Sequence, residues 1–140
     1  MKKFNIAVLL LVAFMLLLFG GIFLYNLYSI KEVKVLKMQL EISDKMGFNA
    51  GTDALYFGKT YAGSTVKRLI NITNNYNFPI SVSIKLSGNI SEFVSISQND
   101  FIVKPGEMKV VTYYAQTNKD TPEGIYYGET RALFTRAIFN

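Results

Sequence analysis

The 140-residue chain has no cysteine, no histidine and no tryptophan, and only three prolines. Without cysteine there is no disulfide framework and no thiolate metal site. Without histidine, imidazole acid–base catalysis, histidine-based triads and most zinc sites are excluded. Charge is also scarce: 18% of residues are charged, against 50% hydrophobic, and the net charge is +5. No cofactor is expected from this inventory.

The apolar excess is concentrated at the start. From Ile6 to Leu24 no side chain is charged or strongly polar. As a helix, that run measures roughly 28 Å at about 1.5 Å per residue, which matches a hydrocarbon core of about 30 Å. A single span must satisfy its backbone internally, so a helix is expected. Lys2 and Lys3 precede the run, and Tyr25 and Tyr28 follow it, where amphipathic rings suit a membrane interface. The rival reading is a cleaved signal peptide. Its apolar core is usually only about 7–15 residues and is followed by a small-residue cleavage site, whereas here Ile22-Phe23-Leu24-Tyr25-Asn26-Leu27-Tyr28 follows Gly21. An uncleaved anchor over residues 1–30, spanning from about Ile6 to Tyr28, is the expectation. The N-terminus is expected inside and the bulk of the chain outside, because long following domains translocate largely regardless of charge. The small residues Ala13, Gly20 and Gly21 form no clean helix-pairing motif, so a homo-oligomer is only a weak expectation.

Past a short charged connector at 31–35, the hydrophobic period changes to two. Leu36, Met38, Leu40 and Ile42 alternate with Lys37, Gln39 and Glu41, the pattern of a half-buried strand. Residues 43–52 hold Asp44, Gly47, Asn49 and Gly51 and read as a loop. Further strands are predicted at Ala54–Phe57 (ended by Gly58), Val66–Thr73, Ile80–Leu86, Phe93–Ile96, Phe101–Val103, Met108–Ala115 and Ile125–Ile138, the last bent at Gly128. The breaks between them are turn chemistry, such as Asn74-Asn75-Tyr76-Asn77 and Pro105-Gly106. Seven or eight short strands over residues 36–140 predict an all-β fold, a β-sandwich behind one N-terminal transmembrane helix.

The order of these pieces resembles a known family. Leu55-Tyr56-Phe57-Gly58, Gly63, Arg68 and Ile70-Asn71-Ile72-Thr73-Asn74 are similar to the opening of immunoglobulin-like domains of the ASH and major-sperm-protein type. Phe78-Pro79, the run from Phe101 to Glu107, and Gly124-Ile125-Tyr126-Tyr127-Gly128 continue the likeness, which covers roughly Leu55 to Phe134. Similar single domains occur on membrane-anchored envelope proteins of archaea and bacteria. The resemblance implies an immunoglobulin-like sandwich with structural or binding work and no enzymatic residue set. The fold itself hosts many roles.

Individual residues point the same way. Asp44, Asp53, Asp100, Asp120 and Glu123 sit near predicted turns without calcium-loop spacing, and read as turn-capping carboxylates. Two sequons, Asn71-Ile72-Thr73 and Asn89-Ile90-Ser91, make Asn89, in a loop, and Asn71, on an outward strand position, candidate glycosylation sites if the domain lies outside the cell. Phe57, Phe93, Phe101 and Phe134 are expected in the core. Alternation suggests that Tyr113, and Tyr127 or its neighbour Tyr126, face outward as partner-binding candidates, with cross-strand packing as the plainer reading. Residues 31–140 carry 13 basic and 10 acidic side chains, a net +3. That charge is too dispersed to expect nucleic acid.

The expected function is therefore non-enzymatic: a single-pass membrane protein presenting an extracytoplasmic domain for protein–protein contact in a cell-envelope or membrane complex, with an unknown envelope protein as partner. The alternative is an accessory, stator- or pilus-like subunit of an archaeal motility or secretion machine. The long final strand is expected to be the edge that invites strand addition.

Overall fold

A computed structural model describes residues 2–44 and 54–137. The chain divides into two compact units, residues 1–31 and 32–140.

The first unit is a single helix, α1 (Lys2–Ser29). Its stretch Asn5–Tyr25 is long and apolar enough to cross a membrane, and none of that window is buried. A helix apolar on every side has no polar face to offer water, so its composition suits lipid. This agrees with the expected span.

Among the described residues, the second unit is all β apart from one 3₁₀ turn. Its strands are β1 (Ile30–Ile42), β2 (Ala54–Thr60), β3 (Thr65–Thr73), β4 (Ile80–Gly88), β5 (Val94–Ile96), β6 (Phe101–Val103), β7 (Met108–Gln116) and β8 (Gly124–Arg136), with the turn at Asn89–Glu92. They form a five-stranded sheet, ordered β2-β1-β8-β4-β6, and a three-stranded sheet, ordered β3-β7-β5. One hydrophobic core lies between them. The larger sheet contributes Met38, Leu40, Phe57, Val82 and Phe134, and the smaller contributes Ile72, Val94, Val111 and Ala115. The period-two pattern is the cause: alternate residues of each strand share a face, and burying the apolar face removes it from water.

Two expected boundaries move. The connector at 31–35 is not a linker, because β1 begins at Ile30, directly after the helix. Charged residues at 31, 32 and 34 disguise the strand, since Val33 and Val35 of this stretch point to solvent instead of the core. Gly58 does not end β2. With φ of 86°, it opens a bulge at which the parallel β1–β2 register slips between Gln39 and Leu40. Leu55 and Phe57 point inward before the bulge and Thr60 after it, so one extra residue resets the alternation. Beyond the bulge, Glu41 and Lys59 are register partners and form an ion pair of 2.7 Å.

The long final strand is not an edge. β8 lies between β1 and β4, pairing with β4 from Ile80↔Arg136 to Gly88↔Gly128. Its length reflects its central place, since a strand flanked on both sides supports a longer ladder. Ile138, its expected last residue, lies outside the described residues. Gly128 sits where the backbones come closest. A Cβ there would fall inside the radius of the Ser87 carbonyl oxygen and 2.5 Å from Ile90 Cγ2. Of the four phenylalanines expected in the core, Phe57 and Phe134 are buried, while Phe93 and Phe101 are half-buried at its margin.

The turns rest on a few polar side chains. Asn74 is fully buried. Its Nδ2 donates to the carbonyls of Phe78 (2.8 Å) and Val103 (2.9 Å), and its Oδ1 accepts from the Tyr76 amide (2.9 Å). Glu107 Oε2 accepts from the Lys104 amide at 2.7 Å across the Pro105-Gly106 turn. Asn99 uses both ends of its amide on the Ile84 backbone, and Thr121 Oγ1 accepts from the Asn118 amide. The expected capping role of Asp100 and Asp120 therefore passes to Asn99 and Thr121 beside them. Asp53 lies outside the described residues.

Candidate protein-contact surfaces

Tyr113 faces the core, contrary to the outward position expected. It is 2% exposed, and its hydroxyl lies 3.0 Å from Thr130 Oγ1. Burial pushes its phenol pKa above the usual value, an effect the Thr130 hydrogen bond partly opposes. The misreading came from phase. β7 carries apolar residues at both parities (Met108, Val110, Tyr114 against Val111, Tyr113, Ala115), and Lys109 at the inward parity hides the buried row. Lys109 stays half-buried at the strand's start, its Nζ 5.5 Å from the Phe101 ring centroid.

Tyr127 is exposed, as expected. Its amide donates to Asn89 Oδ1 at 2.8 Å. The neighbouring Tyr126 packs edge-on against Phe93, ring centroids 4.9 Å apart, and its hydroxyl donates to the Pro122 carbonyl. Asn89 is exposed at the start of the 3₁₀ turn, while Ile90 behind it is fully buried. Asn71 is exposed on β3, opposite Val110 of β7. The structure therefore places Asn89 and Tyr127 together and keeps Asn71 apart from them, on the outer face of the smaller sheet.

That outer face is the apolar surface sequence reading missed. Leu69 (67% exposed), Met108 (56%) and Val110 (42%) lie on it. Thr65, Asn71, Thr73, Thr112 and Gln116 share its parity, and Lys67 and Tyr114 are opposite one another. The signal was available in the sequence: Leu69 and Val110 stand at the parity opposite to Ile70, Ile72 and Val111.

The strand edges differ in how they are finished. β5 and β6 have three residues each. β2 is closed along one stretch by Arg68 of β3, whose Nε donates to the Tyr56 carbonyl at 2.7 Å and whose Nη2 reaches the Phe57 carbonyl at 3.5 Å. Short strands and bulges are both means of blunting an edge.

A cleft of about 90 Å³ opens between the sheets below this closure. Leu36, Ile70, Ile72, Ile80, Ala132 and Phe134 supply apolar walls, the Tyr113–Thr130 pair lines it, and Glu32 and Lys34 sit at its rim. Lys34 is 3.5 Å from the Glu32 carboxylate and 5.7 Å from the Phe134 ring centroid.

Among the described residues, no group of three or more metal-ligating side chains is close enough to hold an ion. A scan against protein-family models, a search of curated proteins and a search of solved structures each return no match.

Proposed function

We propose that this is a non-enzymatic, single-pass membrane protein whose immunoglobulin-like sandwich, of the ASH or major-sperm-protein type, is held outside the cell to contact another protein of a membrane or envelope complex. The observation that carries this reading is the outer face of the β3-β7-β5 sheet. It exposes Leu69, Met108 and Val110 side by side, and Lys67 is the one formal charge at the outward parity of β3. Depletion of charge, enrichment in methionine and a hydroxyl- and amide-bearing margin are the compositional marks of an interface centre. Contiguous exposed apolar residues also favour association over solvation.

The test is site-specific photo-crosslinking from Val110 in native membranes. A discrete crosslinked product that disappears in Leu69→Asp supports the reading, and a Val110 probe that yields only lipid adducts or nothing refutes it. Protease treatment of intact cells tests the topology: digestion of residues beyond 31 without lysis is expected.

The two sequons are proposed to differ in use. A sugar on Asn89 Nδ2 leaves Oδ1 available to the Tyr127 amide. A sugar on Asn71 would lie over Leu69 and Val110 and cover the contact face.

A further inference from the structure

The inward face of the five-stranded sheet is wider than the three-stranded sheet that covers it. The shortfall falls on the first half of β1. Among the described residues, β2 pairs with β1 from Lys37 onward, and Glu32, Lys34 and Leu36 of the stretch before it line the cleft. Across that cleft runs β3, an edge strand of the smaller sheet.

The hydrogen-bond parity of β3 is set at both ends. The Asn74 amide donates to the Glu107 carbonyl, and the Thr117 amide donates to the Ser64 carbonyl. In an antiparallel pair, alternate residues bond to the same neighbour, so Val66, Arg68, Ile70 and Ile72 bond to β7. The backbone groups of Lys67, Leu69, Asn71 and Thr73 point the other way. The Lys67 carbonyl is taken by Arg68 Nη1 at 3.3 Å. Among the described residues, no hydrogen bond reaches the amides or carbonyls of Leu69, Asn71 and Thr73. Among the described residues, three donors and three acceptors therefore stand in a row beside an apolar cleft.

We propose that this edge receives an extended segment of the partner protein, which adds to β3 as a fourth strand over Leu69–Thr73 and completes the smaller sheet. Main-chain hydrogen bonds hold such a strand, and pockets for its alternate side chains select it. The cleft, at about 90 Å³, takes one aliphatic or aromatic side chain. Lys67 is exposed at the closed end of the edge with no ion pair among the described residues, so a carboxylate on the added strand is the complementary charge opposite it. This inference rests on the protein-contact reading and names the partner's form.

The test uses the full-length chain in nanodiscs and a displayed library of random octapeptides. Enriched peptides are expected to alternate apolar with polar residues and to carry a carboxylate near one end. They should shield the Leu69, Asn71 and Thr73 amides from hydrogen exchange. Asn71→Pro removes an edge donor without touching the β7 ladder, and should weaken binding tenfold or more. Lys67→Glu, a surface change that leaves the backbone intact, should weaken it at least threefold at low salt and serves if the proline variant misfolds. No enrichment over empty nanodiscs, or peptides that bind both variants as well as the parent chain, overturns the proposal. Val110 crosslinking that persists in Asn71→Pro would show that the edge fails while the contact face stands.

Discussion

Tyr113 and Thr130 join the two sheets through their buried hydroxyls, 3.0 Å apart. Tyr113 belongs to β7 of the smaller sheet and Thr130 to β8 of the larger. Each hydroxyl is the other's relief from burial without a partner. Tyr113→Phe leaves Thr130 buried and unpaired, so a loss of about 1–3 kcal/mol is expected. Pairing it with Thr130→Val should restore part of that loss, because two apolar groups of similar shape need no hydrogen bond. Urea unfolding of the four chains of this double-mutant cycle measures the coupling, and additive losses would contradict it.

The same tyrosine predicts a pH dependence. Its folded pKa is raised, chiefly by burial, so the folded state holds the phenol proton more tightly than the unfolded chain does. The stability this contributes is complete below the unfolded value of about 10 and is lost as pH rises from there through the folded pKa. Denaturation midpoints measured between neutral pH and pH 11 should fall more steeply above pH 10 for the parent chain than for Tyr113→Phe.

Asn74 is predicted to be the least replaceable polar residue of the sandwich. Removing its amide in Asn74→Ala strips partners from the carbonyls of Phe78 and Val103 and the amide of Tyr76. The buried Val103 carbonyl left without this partner costs about 1–3 kcal/mol, and the part-buried bonds to Phe78 and Tyr76 add to it, so a loss near the top of the usual single-mutant range is expected. Asn74→Asp should be nearly as harmful, since a carboxylate turns lone pairs toward two carbonyl oxygens. Thermal unfolding of the full-length chain reads the difference.

Gly128→Ala should destabilise by on the order of 1–3 kcal/mol through overpacking, because its Cβ collides with the Ser87 carbonyl oxygen and Ile90. Gly106→Ala is a control with open space around the added carbon, although φ is 73° there. Its penalty comes from backbone conformation alone, and a Gly128→Ala loss no larger than this would show that the contact yields.

Mass spectrometry of protein purified from its own cells checks the sequons. A sugar at Asn89, and none at Asn71, is the expected pattern. An occupied Asn71 would place a polar glycan over Leu69 and Val110 and contradict the contact face.

The strands were legible wherever apolar residues kept to one parity. Ile80, Val82 and Ile84 alternate with Ser81 and Ser83 and are buried, and the predicted limits of β4, β6 and β7 lie within two residues of those observed. Legibility failed where both parities were apolar. On β7 the phase could not be chosen from local residues, because burial is decided by the sheet opposite, and so Tyr113 was turned outward. Edge status failed for a similar reason. Strand length is local, but the identity of the neighbours is not, and β8 proved to be flanked on both sides. The cleft and the open stretch of β3 depend on a mismatch between sheet widths, which no run of residues encodes.

The absence of slack between α1 and β1 has a mechanical consequence. The helix ends at Ser29 and the strand begins at Ile30, and that strand is sewn to β2 on one side and β8 on the other. Tension on the chain ahead of β1 therefore enters the sheet through an interior strand, which is paired to β2 from Lys37 onward and to β8 on its other side. Peeling from a free margin would break bonds one by one, whereas here many must yield together.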